Sequence, residues 1–330
     1  MSAFTGFELN ASHSIAFIGL GNIGNAVVRN LLLNNINVRG MDLFPKPELV
    51  SLGMVSCANY NELFFGNVKV LITALPNPVH VRKVMEEDGV LRMLVGTNIL
   101  WIDHTSTEPP EAVYFGSLCK SMNIAYVEAP LTGGLSLLQK GQMTVYLGGP
   151  PEQTDCAISV VKYYTATQQY IGEWGAPATV KIVSNMMCAA NTAVMGEAMT
   201  IFRKENIPLD VAFHAIRNSA GNTYVWETEA PLAMNGSYDP GFTLELHNKD
   251  LTIGEKICEK HNINLTMFQE STRLYREGSA KFGDQHGSSH PAKMIAENAG
   301  VHLSHPGFEK WTYSTEKCDN GNGMSVKHEY

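Results

Sequence analysis

Lys181 and Asn185 have the residue types and the spacing that proton transfer requires. They lie four positions apart in TVKIVSNMMCAANTAVMGEAMTIFRKEN, a segment that is rich in Ala and Met and contains no Pro. Residues four apart share one face of a helix, so we expect both side chains on the same side of one long helix. A Lys in such apolar surroundings must find a partner or shift its pKa, which makes it a candidate acid and base. Alternatively, Lys181 only extends to solvent at a domain edge.

A glycine-rich segment early in the chain has the spacing of a dinucleotide-binding turn. It follows the apolar run SIAFI, precedes a helical pattern and reads Gly19-Leu20-Gly21-Asn22-Ile23-Gly24. In a GxGxxG motif the first glycine allows the tight turn, the second lets a pyrophosphate approach the backbone, and the third allows close helix–strand packing. The free N–H groups at the start of the helix would face the phosphates. The context therefore favours a dinucleotide site over an ordinary glycine turn.

Asp42 indicates which dinucleotide this site prefers. It lies 18 residues after Gly24, at the end of a second apolar segment, 38–41. A carboxylate at that position accepts hydrogen bonds from a ribose 2′-hydroxyl and repels a 2′-phosphate. The following Leu43 and Phe44 provide no Arg that could bind such a phosphate. We therefore predict NAD as the cofactor, with NADP less favoured.

Three further segments place residues where a bound cofactor could contact them. Leu75 and Pro76 follow an apolar segment in ALPNP, and Ser106 lies in DHTSTEPP. Both segments follow predicted strands, and the carboxyl ends of strands border the ligand crevice of a doubly wound sheet. Lys249 precedes Asp250 in HNKDLTIGEKI. Each segment also has a simpler explanation: a Pro-rich turn, hydroxyl groups that cap a helix, and a solvated charge pair.

The sequence Thr132-Gly133-Gly134 is a candidate site for a negatively charged group of a substrate. It follows EAPL at the end of a predicted strand. Adjacent glycines expose backbone N–H groups that can surround a carboxylate, and Thr132 adds a hydroxyl. We therefore expect a small anionic substrate, although the residues taken alone also fit a simple loop.

The elements that must position these residues alternate between strands and helices in the first half of the chain. Apolar runs typical of strands, with helical stretches between most of them, occur at 14–18, 38–41, 68–74, 99–103, 125–128 and 144–147. This alternation predicts an α/β fold whose N-terminal Rossmann domain has a doubly wound, mostly parallel sheet.

The second half of the chain has a different pattern. After about residue 175 it becomes helical, beginning with a long segment at 178–206, and the last 30 or so residues are polar without clear periodicity. We predict three regions: an NAD-binding domain at 1–174, an all-α domain for substrate binding and oligomerisation at 175–300, and a polar C-terminal tail at 301–330.

The composition gives no support for nucleic acid or a membrane as a partner. Hydrophobic residues make up 44% of the 330 residues, charged residues make up 17%, and the net charge is −8 without a long basic run. No apolar run reaches the roughly 18 residues that a membrane span needs. The six cysteines have no CxxC spacing. We therefore predict reduced thiols, no metal site and a cytoplasmic protein.

In order and spacing, these motifs resemble those of the 3-hydroxyisobutyrate dehydrogenase family, the β-hydroxyacid dehydrogenases. The family pattern runs GLGxMG, LP, DxSTxxP, APVSGG, KxxNN and KDL. Over about residues 14–295 this sequence has GLGNIG, ALP, DHTSTEP, APLTGG, KIVSN and KDL. The resemblance implies an enzyme that interconverts a small β-hydroxyacid and its semialdehyde or oxo acid with NAD(P). It also implies a homodimer or homotetramer whose subunits pack or exchange helices.

The resemblance further implies a role for each matching position. Lys181 would be the catalytic acid and base with Asn185 assisting, and Thr132, Gly133 and Gly134 would hold the substrate carboxylate. The residues that would contact the cofactor are Gly19 to Gly24, Leu75, Pro76, Ser106 and Lys249.

The sequence departs from the family pattern at several positions. Thr132 stands where Ser is usual, and Ser184 replaces the first Asn of KxxNN. His80 and His104 are also unusual; either could tune the site, but we expect a surface role for each. Two other functions remain open. An imine or other carbonyl reductase on the same scaffold is disfavoured because such imine reductases commonly lack the Lys, and a sensor would bind NAD without turnover.

Overall fold

The structure of the chain, a computed structural model, describes residues 4–10, 12–317 and 324–330. The chain forms two compact units, Met1–Lys181 and Ile182–Tyr330. The boundary between them falls within one helix that runs from Ala176 to Lys204, in good agreement with the long helix predicted at 178–206. Within the described ranges, no helix has the length and apolar character needed to cross a membrane.

The first unit contains every strand that the apolar runs predict, and each begins and ends within one residue of its prediction. Three further strands, β3, β7 and β9, were not predicted. The strands are β1 (Ser14–Ile18), β2 (Asn37–Met41), β3 (Val55–Ser56), β4 (Val68–Thr73), β5 (Leu100–Asp103), β6 (Ala125–Glu128), β7 (Leu131–Thr132), β8 (Met143–Gly148) and β9 (Thr165–Gly172).

Helices connect most of these strands, and several of them begin with a proline. Proline fits the first helical position because that residue needs no intrahelical N–H bond and its φ is already helical. The helices are α1 (Asn22–Leu33), α2 (Pro47–Ser51), α3 (Tyr60–Leu63), α4 (Pro78–Arg82), α5 (Val90–Leu94), α6 (Pro109–Ser121), α7 (Leu135–Gln139), α8 (Pro151–Val161) and α9 (Ala176–Lys204), with a π-helical turn at Lys83–Glu87.

The sheet of the first unit confirms the predicted doubly wound topology. Its strand order is β3-β2-β1-β4-β5-β6-β8-β7, with β9 paired to β8. The strands from β3 to β6 are parallel to their neighbours, whereas β8 is antiparallel to β6 and β7. The strand order reverses at β1, which lies between β2 and β4. Ligands of such sheets bind at this reversal, outside the carboxyl ends of the strands, which we call the carboxyl edge.

The core of the first unit explains why its strands are nearly continuous apolar runs. All four residues of β5 and of β6 are buried, because helices cover a parallel sheet on both faces. Trp101 and Tyr126 from these two strands are almost completely buried, and their ring centroids are 4.5 Å apart. Such dense packing gives the carboxyl edge a rigid base.

The second unit is helical up to about residue 300 and then contains two paired β-strands. Within the described residues it contains the rest of α9, followed by α10 (Leu209–Arg217), α11 (Tyr224–Met234), α12 (Leu244–His261), α13 (Thr266–Phe282), α14 (His290–Asn298), β10 (Thr312–Lys317) and β11 (Met324–Glu329). β10 and β11 pair antiparallel.

In its described part, the segment 301–330 packs against the helices and does not form the separate polar tail that its composition predicts. Leu303, Phe308 and Trp311 are buried and belong to a hydrophobic cluster that includes Phe213 and Trp226. A few well-spaced large apolar residues thus attach the segment to the helices, although they form no periodic pattern.

Candidate active site

The glycine turn, Gly19–Gly24, has the geometry that a dinucleotide needs. Gly19 has a φ of 93°, and a Cβ on it would collide with the carbonyl oxygen of Ala74. A Cβ on Gly24 would collide with the carbonyl oxygen of Gly19. None of the described residues lies within 4 Å of a Cβ built on Gly21, which directly precedes α1. Gly21 therefore faces open space at the N-terminus of a 12-residue helix, where a pyrophosphate would fit.

Asp42 lies at the end of β2 and is held by backbone groups on two sides. Its Oδ2 accepts a hydrogen bond from the Leu20 N–H at 2.5 Å, and its Oδ1 accepts one from the Phe44 N–H at 2.9 Å. The carboxylate is thereby fixed beside the glycine turn. Each of its oxygens has two lone pairs, so it can still accept from a ribose hydroxyl. The neighbouring Leu43 and Phe44 are 92% and 71% exposed.

A buried hydrogen-bond network joins the ends of β4 and β5. The Thr73 hydroxyl donates to Asp103 Oδ1 at 2.8 Å, and the same oxygen accepts from the Thr105 N–H at 2.9 Å. The Thr105 hydroxyl in turn accepts from the Leu75 N–H at 3.1 Å. Burial raises the pKa of the Asp103 carboxyl to about 6, although these hydrogen bonds oppose the rise. The network fixes the two segments that contain Leu75 and Ser106 relative to each other.

This network disagrees with the simpler explanation that the hydroxyl groups of DHTSTEPP only cap a helix. Helix α6 begins at Pro109, and its N-cap residue is Glu108, whose side chain makes no capping hydrogen bond, rather than one of the hydroxyl residues. The Thr105 hydroxyl is used for the Leu75 backbone instead, and the next residue, Ser106, is half-buried at the carboxyl edge. Leu75 is also half-buried, whereas Pro76 is exposed.

His104 is not on the surface, contrary to the expectation from the sequence. The side chain is 6% exposed, and burial lowers its pKa to about 4. Its Nδ1 lies 2.6 Å from the Ala129 carbonyl oxygen, and its Nε2 lies 2.8 Å from the Tyr164 hydroxyl. A buried polar ring is stable only when its nitrogens are satisfied, and these two partners provide that. His80, by contrast, is exposed and hydrogen-bonds to Asn77.

Glu128, which the sequence analysis did not single out, anchors the start of α9. Its carboxylate accepts hydrogen bonds from the Gly175 N–H at 2.6 Å and from the Ala178 N–H at 2.7 Å. Helix N-termini leave such N–H groups unsatisfied and favour negative charge. Burial nevertheless raises the pKa of Glu128 to about 7. An acidic residue at the end of the apolar strand AYVE was the available signal for this role.

The predicted anion loop, Thr132–Gly134, follows the carboxyl end of β6. β7 pairs with β8 through Leu131 and Thr132, so the start of the loop is held by a β-ladder. Gly133 and Gly134 have φ values of 126° and 91°, a backbone conformation that side chains rarely adopt. All three loop residues are half-buried. The loop is therefore a fixed turn of backbone that only glycines can form.

Lys181 and Asn185 both lie on α9, as predicted, one helical turn apart. Lys181 is half-buried, and it follows by three residues the Ala178 whose N–H binds Glu128. Since Glu128 ends β6, the anchored first turn of α9 starts at the carboxyl edge of the sheet, and Lys181 comes about one turn later.

The remaining predicted residues lie in the second unit and depend on side-chain partners. Asn185 is 8% exposed, and its Nδ2 donates to Asp250 Oδ2 at 2.6 Å. His247 Nε2 donates to the Asn185 carbonyl oxygen at 3.0 Å. Lys249 Nζ lies 3.6 Å from Asp250 Oδ1, and the Asp250 side chain is 2% exposed. Lys249 thus pairs with a buried carboxylate and is not a member of a fully solvated charge pair.

Neither unit shows a metal centre in the part of the chain that the structure describes. No group of three or more His, Cys, Asp or Glu side chains there is arranged to hold a metal ion. The candidate residues of the first unit are a glycine turn, backbone N–H groups, hydroxyls and the Lys181 amine, a set that suits an organic cofactor and an anionic substrate.

Two family models match consecutive parts of the chain. The model described as the NAD binding domain of 6-phosphogluconate dehydrogenase matches residues 14–172. The model described as NAD-binding of NADP-dependent 3-hydroxyisobutyrate dehydrogenase matches residues 175–295. The two matched ranges together span both units and include every predicted site residue.

Similar proteins of known activity extend over most of the chain. A 2-(hydroxymethyl)glutarate dehydrogenase of Eubacterium barkeri is 26% identical, over 90% of this chain and 99% of the relative. A 3-hydroxyisobutyrate dehydrogenase of Pseudomonas aeruginosa is 29% identical, over 72% and 82% respectively. The solved Mycobacterium tuberculosis 3-hydroxyisobutyrate dehydrogenase with L-serine has a TM-score of 0.75 at 24% identity, covering 86% of this chain and 98% of that one. At that identity, the structural similarity establishes the fold alone.

Proposed function

Because the chain belongs to the 3-hydroxyisobutyrate dehydrogenase family of NAD(P)-dependent hydroxyacid dehydrogenases, we propose that it interconverts a small β-hydroxyacid and the corresponding semialdehyde or oxo acid. The observation that carries this proposal is the position of Lys181. Glu128 anchors the first turn of α9 at the carboxyl edge, which also bears the glycine turn and the anion loop. A half-buried amine about one turn beyond that anchor is suited to act as acid and base.

The cofactor of this reaction is NAD in our proposal. The open side of Gly21 and the N–H groups that start α1 would hold the pyrophosphate. Asp42, fixed by Leu20 and Phe44, would accept hydrogen bonds from the adenosine ribose and repel a 2′-phosphate. Leu75, Pro76 and Ser106 would line the adjacent part of the carboxyl edge. Lys249 would provide a further cofactor contact.

The substrate would bind through its carboxylate. The anion loop offers backbone N–H groups at Gly133 and Gly134 and the hydroxyl of Thr132, which can together neutralise one negative charge. Such a site orients the rest of a small acid, since a carboxylate held by several donors leaves little freedom to a short molecule. The names of the relatives, which act on hydroxymethylglutarate and hydroxyisobutyrate, agree with this substrate class.

Lys181 would move the proton. In the oxidation, the unprotonated Lys181 Nζ takes the proton of the substrate hydroxyl while the carbon that bears this hydroxyl loses a hydride. In the reduction, the ammonium group returns the proton to the carbonyl oxygen. NAD, when bound, supplies the hydride acceptor. Asn185 would help to orient the reacting oxygen, because its Nδ2 is committed to Asp250 and its amide plane is thereby fixed.

A panel of acids tests this proposal directly. The purified protein is assayed with NAD and with NADP in parallel on 3-hydroxyisobutyrate, 3-hydroxypropionate, 4-hydroxybutyrate, serine and 2-(hydroxymethyl)glutarate, with the methyl ester of each acid as its matched control. We expect turnover of at least one β-hydroxyacid, more efficiently with NAD, and none of its ester. Tight NAD binding without turnover of any acid or semialdehyde would contradict the proposal and favour a sensor.

We also propose that the protein is a homodimer or homotetramer. Along the part of α9 that lies in the second unit, four apolar side chains are 42–62% exposed at intervals of four and seven residues: Val183, Met187, Val194 and Ile201. An exposed apolar stripe of this kind on a long helix is typical of a helix–helix interface. Light scattering during size-exclusion chromatography should give two or four times the chain mass of 36.2 kDa.

A further inference from the structure

We propose that His104 is a positioning residue for the anion loop and that it acts together with Tyr164, a pair that we call the buried clamp. The clamp would hold the chain at Ala129 against the end of β5 and so place Thr132–Gly134 for the substrate carboxylate. This inference rests on the proposed function, in which that loop binds the carboxylate.

The hydrogen bonds of the clamp define its chemistry. The Ala129 carbonyl oxygen can only accept, so the 2.6 Å contact requires the hydrogen of the neutral ring to be on His104 Nδ1. Nε2 is then the acceptor for the Tyr164 hydroxyl at 2.8 Å. Tyr164 is completely buried, and its ring packs edge-on against the imidazole with centroids 5.5 Å apart. The Ala129 carbonyl thus selects the tautomer, and the Tyr164 hydroxyl satisfies the nitrogen on the other side of the ring.

The clamp acts where the β-ladder stops. The last paired residues of β5 and β6 are Asp103 and Glu128, so Ala129 is the first residue beyond the ladder. Its N–H donates to the Asp103 carbonyl oxygen at 2.8 Å, and its carbonyl oxygen accepts from the His104 ring. Both polar groups of Ala129 are therefore tied to two consecutive residues at the end of β5.

This connection reaches both candidate binding segments. On one side, His104 directly precedes Thr105, whose hydroxyl binds the Leu75 N–H in the segment proposed to face the cofactor. On the other side, Ala129 is followed by Pro130, which has a restricted φ, and then by Leu131 at the start of β7. A shift of Ala129 would consequently act on Thr132 through two intervening residues, against the ladder that pairs Leu131 and Thr132 with β8.

Three substitutions separate positioning from simple stability. His104→Leu removes both hydrogen bonds and leaves the Ala129 carbonyl unsatisfied. His104→Asn places an amide N–H where Nδ1 was and so preserves the bond to Ala129. Tyr164→Phe removes only the hydroxyl that satisfies His104 Nε2. The matched control is Tyr163→Phe, which removes a hydroxyl from the neighbouring, half-buried tyrosine.

Steady-state kinetics with the best acid of the panel gives the first readout. We expect His104→Leu to raise KM for the acid about 10-fold or more, since a lost buried hydrogen bond costs about 1–3 kcal/mol. KM for NAD should change much less. His104→Asn should restore most of the affinity for the acid, Tyr164→Phe should give an intermediate KM, and the control should match the wild type.

Hydrogen exchange followed by mass spectrometry gives a second readout that needs no substrate. In the NAD-bound protein, His104→Leu should accelerate amide exchange in 129–134 more than in β1 and β4. If the wild type turns over no acid, the proposed function fails while this exchange pattern still decides the inference. The inference would be overturned if both the exchange in 129–134 and the KM for the acid were unchanged. It would also be overturned if protection fell equally in all segments and the KM values for the acid and for NAD rose equally.

Discussion

The candidate site residues of the first unit are held mainly by backbone groups, whereas those of the second unit are held mainly by other side chains. Asp42 and Glu128 accept hydrogen bonds from main-chain N–H groups, and the His104 ring donates one to a main-chain carbonyl. Asn185 and Lys249 instead share one carboxylate, that of Asp250. A backbone partner cannot be removed by substitution, but a side-chain partner can. The two regions should therefore respond differently to mutation.

Lys181→Ala should have the largest effect and would show whether the first unit supplies the chemistry. Removal of a general acid and base typically lowers turnover by about 10²–10⁴-fold. NAD binding should be retained, because the glycine turn and Asp42 are untouched. The measurement is kcat with the best acid of the panel, together with a titration of NAD by fluorescence.

Lys204→Ala, at the exposed C-terminal end of the same helix, is the matched control and should keep the wild-type kcat. A fully active Lys181→Ala enzyme would remove the catalytic role from α9 and leave the fold assignment intact.

Glu128→Gln tests the burial of this backbone-held carboxyl through the pH dependence of stability. Burial raises the pKa of Glu128 from 4.5 to about 7, so its protonated form is favoured in the folded state. Its contribution to the free energy of unfolding is complete below pH 4.5 and is lost as the pH rises through 7. The loss amounts to about 3 kcal/mol as an order of magnitude. Glu128→Gln should abolish this part of the pH dependence.

Urea unfolding at pH 5 and pH 8 measures this difference, with Asp155→Asn on the exposed face of α8 as the control. Two neighbours still titrate in the variant. Asp103, with its pKa raised to about 6, also lowers the free energy of unfolding as the pH rises. His104, with its pKa lowered to about 4, raises it over the same range. An identical change in unfolding free energy from pH 5 to pH 8 in variant and wild type would contradict the rise that burial causes in the pKa of Glu128.

Asp42→Ser should alter cofactor preference without affecting the proton-transfer step. Loss of a charge-assisted hydrogen bond to a ribose costs about 1.5–3 kcal/mol, which corresponds to about a 10–100-fold lower kcat/KM with NAD. The ratio of kcat/KM for NADP to that for NAD should rise, because the repulsion of a 2′-phosphate is removed. Glu48→Gln, an exposed carboxylate on α2, is the control. An unchanged ratio would show that Asp42 does not select the cofactor.

The same contrast explains what the sequence could and could not predict. In a doubly wound sheet, residues after parallel strands must meet at one edge, so the glycine turn, Asp42, Leu75 and the anion loop could be assigned to the same edge from strand order alone. The long α9 was predictable because it is rich in good helix formers and contains no Pro after Pro177. Those predictions needed only local patterns and one topological rule.

Contacts between distant side chains could not be predicted in this way. The burial of His104 depends on Tyr164, which lies 60 positions later, and the orientation of Asn185 depends on Asp250, which lies 65 positions later. The bounds of helix α11 could not be located from periodicity, because most of its residues are buried and Pro231 lies within it. The strands β10 and β11 were missed because alternating polar residues in TYSTEK and SVKHE give no apolar signal.

Asp250→Ala should have the smallest effect of these changes and tests the region that is held by side chains. It leaves the buried Asn185 Nδ2 without the acceptor it has at 2.6 Å, which costs about 1–3 kcal/mol in the free energy of unfolding. Because the Asn185 amide would then rotate and Lys249 would lose its carboxylate, kcat should fall about 3–10-fold, an amount that corresponds to about 1 kcal/mol. Glu259→Ala, exposed on the same helix α12, should change neither quantity. If Asp250→Ala lowered kcat as strongly as Lys181→Ala, then Asn185 and Lys249, which share the Asp250 carboxylate, would take part in the proton-transfer step. The contrast between a catalytic first unit and a supporting second unit would then be wrong.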